Sequence, residues 1–405
     1  MDRSLGRRRV LVVDDFPAMR TTLAQMLLSM GLQEEPDMAQ DAAQALARLR
    51  ARRYDIVLCD YNLGGGMDGQ QLLEIARREG RVDVACVFIL ITAENSSEMV
   101  MAALESGPDA YLSKPITKVL LKTRLERALQ RRDPMRPVAD ALARGDTAAA
   151  LQVLAVMRAA GRGEAADVLR LQAELGIEAG DLDTAEAAAR EAQRERPLAW
   201  ACNALGRVAQ RRGDLAAAEN HFREAMAVTP YFMSAHDHLA EVLELQDRRS
   251  EALDVLDRAV QRSSRSLPRQ RRLGRLALEQ GHWDLAAQAW ARAAELAAPQ
   301  GEAHPSDHVW TAFALARVGD TRGAARCLRH MEQALEGDPE LPWWSLVGRL
   351  DLCGVTAADP TELLDTLDTR LLWTPPPEAV RAALVQVLQH LGEVERAELL
   401  RQEAG

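Results

Sequence analysis

Acidic, hydroxyl and lysine side chains recur in the first third of the chain, each at the end of a short apolar run. Such runs are typical of strands that are buried in a parallel sheet. The carboxyl ends of parallel strands lie along one edge of the sheet, and ligands bind outside that edge. The pattern therefore predicts that five side chains converge on one site: Asp14, Asp15, Asp60, Thr92 and Lys114.

The chemistry that this set can perform is phosphoryl acceptance. Three clustered carboxylates repel one another unless a cation joins them, and a site with few hard oxygen ligands suits Mg2+. We expect Asp14 and Asp15 to hold the ion, which leaves Asp60 as a carboxylate nucleophile. The Lys114 ammonium and the Thr92 hydroxyl would neutralise and position the phosphoryl oxygens. The competing interpretation, a cluster of solvated charges at a sheet edge, requires the order, the strand ends and the apolar runs to agree by chance.

Strand and helix patterns alternate over residues 9–131, which predicts the elements that position this site. Apolar residues recur at helical spacing between the strands, for instance from Met19 to Met30 and from Met99 to Ala103. A further strand, expected near Pro36 to Ala39, is poorly marked. The predicted fold is an α/β domain with a five-stranded parallel sheet of the doubly wound, flavodoxin-like kind. Its clear strand candidates are Val10 to Val13, Ile56 to Cys59, Val87 to Ile91 and Ala110 to Leu112.

Two prolines mark the end of this domain. Pro134 and Pro137 lie within five residues of each other and interrupt the helical pattern, which indicates a linker. We expect a first domain over residues 1–132, a linker over 133–138 and an all-helical domain over 139–405.

Strand signals vanish beyond the linker, and helical spacing takes their place. In this part the same residue types recur every 34 positions, so that aligned rows of sequence share columns. That period and those columns resemble the tetratricopeptide repeat, in which a small residue lets two antiparallel helices approach and a large residue packs between them. About six or seven units are expected, and residues 334–390 do not align convincingly. The three clear rows are Leu205, Gly206, Gly213, Ala218, Phe222 and Ala225; Leu239, Ala240, Asp247, Ala252, Leu256 and Ala259; and Leu273, Gly274, Gly281, Ala286, Trp290 and Ala293.

The motifs VLVVDD, LCDYN, ILITAEN and AYLSKP resemble the signature of the response-regulator receiver family. The resemblance implies that a histidine kinase or phosphotransfer protein phosphorylates Asp60 and that the acidic pair binds Mg2+. It also implies that Asn62 lends a backbone carbonyl to the metal, and that Thr92 and Lys114 contact the phosphoryl group. Together with the repeats, the chain resembles tetratricopeptide-repeat response regulators of proteobacteria.

Two further positions match the family, and one loop departs from it. By resemblance, Tyr111 is an aromatic switch residue, although a fixed half-buried aromatic is as good an interpretation. Pro115 follows Lys114 across a bond that would be the family's cis peptide. The loop from Leu63 to Gly69 contains three consecutive glycines and is one residue longer than usual. The lifetime of the phosphorylated state and the docking of the kinase cannot be carried over from the family.

Partner binding by the repeats would use the groove that the first helices of each pair form. A solvated helix face is the competing interpretation for each residue there. The repeat register projects eight side chains into this groove: Trp200, Asn203, Arg207, Gln210, Asp237, Glu241, Arg271 and Arg275.

Composition narrows the class of partner and the compartment. The net charge of −10 argues against a surface built for nucleic acid, although one basic patch could exist within an acidic total. Five dispersed cysteines form no metal motif and fit a reducing compartment. Neither the apolar run near the N-terminus nor the longest apolar stretch is long enough for a signal sequence or a membrane span. We expect a cytoplasmic protein.

The leading functional hypothesis is a phosphorylation-controlled adaptor whose repeats bind a protein or peptide. The alternative is a receiver-controlled nucleic-acid binder that acts on transcription or RNA. An output enzyme is disfavoured because no nucleophile–base set or phosphate-binding loop follows residue 137, so the only chemistry expected is acceptance and hydrolysis of phosphate at Asp60. The oligomeric state stays open between a monomer and a homodimer.

Overall fold

The computed structural model describes residues 5–64, 67–93 and 107–402. The chain packs as two compact units, Met1–Asp247 and Arg248–Gly405. Across the described residues, no helix has both the length and the hydrophobicity needed to cross a bilayer.

The first unit begins with a five-stranded parallel sheet in the order β2-β1-β3-β4-β5. This confirms the predicted doubly wound fold. The poorly marked strand is β2, which is only three residues long and lies at the edge of the sheet. The strands are β1 Val10–Val13, β2 Asp37–Ala39, β3 Ile56–Asp60, β4 Val87–Thr92 and β5 Ala110–Ser113.

Helices cover both faces of the sheet, which explains why the central strands are apolar on both sides. Leu23 and Leu27 belong to one apolar core together with Leu121 and Leu125. Leu46 belongs with other residues to a separate core on the opposite face. The segment from Met99 to Ala103, expected as a helix, lies outside the described residues. The helices are Pro17–Ser29, Ala42–Ala51, Gly69–Arg78 and Lys118–Arg132.

Sixteen helices follow over residues 136–402, joined by short connections. They extend through residues 334–390, where the sequence columns do not align. Their bounds are Arg136–Ala143, Thr147–Ala159, Ala165–Ala179, Leu182–Ala192, Ala199–Arg211, Leu215–Val228, Met233–Leu245, Arg249–Arg262, Leu267–Glu279, Trp283–Gln300, Pro305–Arg317, Thr321–Ala334, Leu341–Thr356, Thr361–Leu371, Glu378–His390 and Val394–Gln402.

Close contacts between a small and a large residue hold the helix pairs together, as the repeat columns predict. A methyl group on Gly206 would lie 2.4 Å from the Phe222 ring, and one on Gly274 would lie 2.6 Å from the Trp290 ring. Phe222 and Trp290 are both buried. The repeating columns therefore mark the residues that pack the helix pairs of a tetratricopeptide-repeat array.

The segment predicted as a linker is helical. Residues Asp133–Met135 form a turn of 3-10 helix, and the helix Arg136–Ala143 follows directly. Pro134 and Pro137 each lie in the first turn of one of these helices. Proline is tolerated there, because the amide of the first turn has no partner within the helix. The chain between the sheet domain and the first repeat therefore contains no extended connection, and the domain boundaries predicted from sequence stay a proposal.

Ion pairs and an apolar cluster join the amino-terminal edge of the sheet to the helix Lys118–Arg132 and to the first helices after it. Asp109, just before β5, is 1% exposed at its side chain and accepts from Arg132 Nε at 2.6 Å. Asp55, just before β3, pairs with Arg136. Ala85 belongs to one buried cluster with Met135, Val138 and other residues of the first helices.

Candidate functional site

The acidic residues of the predicted site lie together at the carboxyl edge of the sheet. Asp14 and Asp15 follow β1, and Asp60 ends β3, so the three lie where the strand order reverses. One carboxylate oxygen from each falls within 4.8 Å of the others. Asp14 and Asp60 are 0% and 5% exposed. This edge therefore concentrates three carboxylates in a largely buried space.

Lys114, which follows β5, supplies a cation to this cluster. Its Nζ donates to Asp60 Oδ2 at 2.7 Å and to Asp14 Oδ2 at 3.2 Å. The Lys114–Pro115 peptide bond is cis, the isomer that the resemblance implies. One ammonium thus contacts two of the three carboxylates.

Arg20 also serves this edge, and sequence reasoning missed it. Its Nη1 donates to the main-chain carbonyl of Asp14 at 2.5 Å, while the amide of Phe16 donates to Asp14 Oδ1 at 2.9 Å. Arg20 lies on the helix Pro17–Ser29 that follows the acidic pair. Its position six residues after Asp14 is compatible with such a contact, but an arginine on a helix carries no specific signal.

The charges at this edge are not balanced. Burial raises the pKa of the Asp60 carboxyl; Lys114 lowers it, Asp14 and Asp15 raise it, and the net shift is upward. For Lys114, burial lowers the pKa, but its hydrogen bonds and the charges of Asp60 and Asp14 outweigh that effect and raise it overall. Lys114 therefore stays protonated at neutral pH, whereas ionisation of Asp60 costs more free energy in the folded protein than in water.

The donor set fits Mg2+. The Oδ1 atom of Asp15 is buried and has no hydrogen-bond partner among the residues that the structure describes. An orphaned carboxylate oxygen next to two other carboxylates is a ready ligand for a hard divalent cation. Asp14, Asp15 and Asp60 together offer three such ligands.

The remaining predicted residues lie in strands β4 and β5 or just after β3. Thr92 ends β4 and is buried, and Asn62 is exposed two residues after Asp60. Tyr111 is half-buried, and burial raises the pKa of its phenol. Its hydroxyl is buried without a hydrogen-bond partner in the described part of the chain.

The first residue of helix Gly69–Arg78 lies very close to Asp60. A methyl group on Gly69 would lie 2.3 Å from the Asp60 carbonyl oxygen. The Gly69 amide donates to the Tyr61 carbonyl at 2.8 Å, and Asp68 caps the helix. Gly65 and Gly66 lie outside the described residues, while Gly64 adopts a φ of +77°. The loop departs from the expected length, yet the glycine that permits the close approach is present.

The predicted groove residues differ in their surroundings. Asn203 is 7% exposed and pairs with His238 across a distance of 2.9 Å. Arg271 donates to both carboxylate oxygens of Asp307, at 3.0 and 2.8 Å, and Arg275 pairs with Glu279. Asn203 and Arg271 thus contact neighbouring helices, whereas Arg275 pairs within its own helix, Leu267–Glu279. The others are half-buried: Trp200, Arg207, Gln210, Asp237 and Glu241.

Comparison with known proteins addresses the first part of the chain. The family described as response regulator receiver domain matches residues 10–126. The chemotaxis protein CheY of Pseudomonas aeruginosa is 31% identical over 123 residues, which cover 30% of this chain and 97% of that protein. CheY-3 of Vibrio cholerae is 32% identical over 123 residues, covering 30% of this chain and 92% of that protein. The chain belongs to the response regulator family.

Solved structures similar to this response regulator fall into two groups. A CheY-like receiver domain protein from Methanospirillum hungatei JF-1 is 28% identical with a TM-score of 0.29, and the match covers 31% of this chain and 97% of that one. A tetratricopeptide repeat protein from Parabacteroides merdae is 17% identical with a TM-score of 0.42, and the match covers 60% of this chain and 93% of that one.

Proposed function

We propose that this response regulator takes part in a phosphorelay, in which Asp60 accepts a phosphoryl group and the phosphorylation state controls protein binding by the helical repeats. The observation that carries the proposal is the contact of Lys114 with the Asp60 and Asp14 carboxylates beside Asp15. The donor would be a histidine kinase or phosphotransfer protein. Because such donors act inside the cell, we place the protein in the cytoplasm.

The transfer needs positioning and charge neutralisation more than covalent chemistry from the protein. An Asp60 carboxylate oxygen attacks the phosphorus, the bond from phosphorus to the donor's imidazole nitrogen breaks, and its electron pair returns to the imidazole. Lys114 stays protonated and moves from the free carboxylate to the phosphoryl oxygens. The Thr92 hydroxyl, at the end of the neighbouring strand, donates to another of them.

Asp14, Asp15, Asp60 and the Asn62 carbonyl would hold Mg2+. When bound, the ion neutralises negative charge that develops on the phosphoryl oxygens. Arg20 and the Phe16 amide keep Asp14 fixed, so that its carboxylate does not have to be ordered during the transfer. Hydrolysis at Asp60 returns the receiver to its starting state, and we propose no separate output enzyme.

Phosphorylation would act on the repeats by biasing a two-state receiver surface that includes Thr92 and Tyr111. The Tyr111 hydroxyl supports this, because it is buried without a hydrogen-bond partner among the described residues, and a second conformation could satisfy it. The coupling free energy between two sites is typically about 1 to 3 kcal/mol, so partner affinity should change by roughly five- to 150-fold.

The test is phosphorylation by a small phosphodonor with Mg2+, followed by mapping of the labelled residue. We expect labelling of the wild type and none of Asp60→Asn. Asp41→Asn is the control, since Asp41 is a half-exposed helix cap and asparagine caps equally well. Label that persists at the wild-type level in Asp60→Asn would exclude Asp60 as the acceptor. Equal partner affinity with and without a beryllofluoride phosphate mimic would exclude control of binding.

A further inference from the structure

The connection between helices Thr361–Leu371 and Glu378–His390, in the second unit, exposes two adjacent apolar side chains. Leu372 is 81% exposed and Trp373 is 84% exposed. All seven tryptophans lie within the described residues, and Trp373 alone among them is exposed. Single exposed apolar residues are common on protein surfaces, but a fully presented tryptophan beside a leucine is typical of a binding surface. We call residues 372–377 the tryptophan turn.

Main-chain hydrogen bonds and prolines fix the backbone of the tryptophan turn. The amides of Trp373 and Thr374 both donate to the Arg370 carbonyl, at 3.1 and 3.0 Å. Three consecutive prolines follow, and the ring of each restricts its own φ. The second of them, Pro376, is buried. The turn therefore presents Trp373 with little loss of backbone entropy on binding.

A half-buried arginine lies at each end of the tryptophan turn, and the Nε atom of each is buried with no hydrogen-bond partner among the described residues. Arg370 precedes the turn, and its Cζ lies 5.3 Å from the centre of the Trp343 ring, a contact that supplies no anion. Arg381 follows the turn, and its amide donates to the Pro377 carbonyl at 2.8 Å. A partly desolvated guanidinium without an acidic partner costs free energy, and a bound carboxylate compensates that cost.

We propose that the tryptophan turn binds an acidic amphipathic peptide segment of a partner protein, a proposal that rests on the protein-binding role of the repeats. The apolar side chains of the segment cover Leu372 and Trp373, and its carboxylates pair with Arg370 and Arg381. Tryptophan and arginine are the residues that most often dominate binding energy, and one tryptophan buries about 150 to 250 Å2. A neutral apolar ligand would leave the arginines unpaired, and a purely hydrophilic acidic ligand would leave Trp373 exposed.

The tryptophan turn differs from the predicted groove, and other ligands fit it less well. It lies within residues 334–390, where the repeat columns do not align, whereas the predicted groove residues lie between Trp200 and Arg275. Single-stranded nucleic acid stacks successive bases on several aromatic side chains, but residues 361–389 contain one, Trp373. Two copies of a chain with a net charge of −10 repel each other. A short acidic segment of another protein is therefore the favoured ligand.

The experiment uses a synthetic peptide of about 20 residues, long enough to form a helix, with leucine along one face and glutamate beside it. Its binding to the full-length protein is followed by acrylamide quenching of tryptophan fluorescence, because the exposed Trp373 is the tryptophan most accessible to a neutral quencher. We expect the peptide to protect Trp373 from acrylamide. Trp373→Ala should weaken binding about thirtyfold, measured by anisotropy of the labelled peptide.

A second variant has a matched control, and the peptide itself tests the charges. Leu372→Ala should weaken binding about fivefold, through lost apolar contact. The control is Leu245→Ala at the end of helix Met233–Leu245, where the leucine is 60% exposed, and it should leave binding unchanged. A glutamine-for-glutamate peptide should bind about tenfold more weakly to the wild type, and Arg370→Gln with Arg381→Gln should remove most of that preference. Circular dichroism verifies that every variant folds.

The inference is wrong if Trp373→Ala binds the peptide as tightly as the wild type does, or if Leu245→Ala weakens binding as much as Leu372→Ala. Tighter binding of single-stranded RNA than of the glutamate peptide would assign the turn to nucleic acid instead. A wild-type dimer that Trp373→Ala converts to a monomer would show that a second copy covers the turn. Absence of peptide binding while Asp60 is still labelled would reject the tryptophan turn alone, whereas absence of labelling at Asp60 would reject the proposed function of the receiver.

Discussion

Aspartates occupy both edges of the receiver sheet, and their surroundings differ. At the amino-terminal edge, Asp109 and Asp55 are each paired with an arginine of the adjoining helical segments. At the carboxyl edge, three carboxylates share one lysine, and one of their oxygens has no partner within the described chain. The Asp109–Arg132 pair holds the receiver's last helix on the sheet, and the Asp55–Arg136 pair joins the sheet to the first helix of the repeats. The unbalanced edge instead keeps a free energy cost that a cation or a phosphoryl group can relieve. Residues of the same type thus serve structure at one edge and chemistry at the other.

The largest effect should come from breaking a balanced pair. Arg132→Ala leaves the nearly inaccessible Asp109 carboxylate without its arginine, and removal of one partner of such a pair costs about 3 kcal/mol. Hydrogen exchange at the β5 amides measures the loss as a lower free energy of local opening. Arg53→Ala is the control, since Arg53 is mostly exposed and its Nη1 lies 3.9 Å from Asp83 Oδ2. That change should cost less than about 1 kcal/mol. Equal losses in the two variants would mean that the buried Asp109–Arg132 pair contributes no more to stability than an exposed pair does.

Magnesium should stabilise the carboxyl edge and not the amino-terminal edge. At a concentration about one hundred times its dissociation constant, a ligand that binds only the folded state adds about 2.7 kcal/mol. Hydrogen exchange should show this protection in β1 and β3, which carry the three carboxylates. Asp15→Asn should remove most of this protection, because Asp15 Oδ1 is buried and has no hydrogen-bond partner among the described residues. Protection of the same size in Asp15→Asn, at matched ionic strength, would contradict the metal site.

The smallest effect concerns the pH dependence of stability without magnesium. Because the pKa of Asp60 is raised in the folded protein, the folded state holds this proton more tightly than the unfolded chain does. Stability should therefore fall as the pH rises from the ordinary aspartate pKa of about 4 towards the raised value. Asp60→Asn should flatten this part of the profile and stabilise the protein at neutral pH by about 1 kcal/mol. Thermal unfolding followed by circular dichroism, with Asp41→Asn as control, measures both. A less stable Asp60→Asn at neutral pH would show that the lysine contact outweighs burial.

The meeting of Asp14, Asp60 and Lys114 at the carboxyl edge follows from the sequence, because parallel strands convert sequence order into position. Asp14, Asp60, Thr92 and Lys114 each follow or end an apolar strand, and strand ends meet at one edge. Strand β2 was weakly marked because it is short and borders the sheet, where fewer apolar residues are required.

Contacts that depend on the register between helices could not be predicted in the same way. Asn203 meets His238 and Arg271 meets Asp307 across about one repeat, and neither pair has a sequence signature. Pro134 and Pro137 predict the end of a helix, but proline is also common in the first turn of a helix. The sequence alone does not distinguish the two positions. The ion pairs of Asp109 and Asp55 at the amino-terminal edge could not be predicted either, since an arginine in an arginine-rich chain does not indicate its partner.

The helix Lys118–Arg132 passes through residues 133–135 directly into helix Arg136–Ala143, and this continuity constrains how the protein can be rebuilt. Each residue inserted into a helix rotates everything after it by about 100° and advances it by about 1.5 Å. A chimera that joins another receiver to these repeats must therefore preserve helical phase. Insertion of one residue would turn the first repeat away from Ala85, whereas insertion of about seven residues, close to two full turns, would restore the rotation at a greater distance.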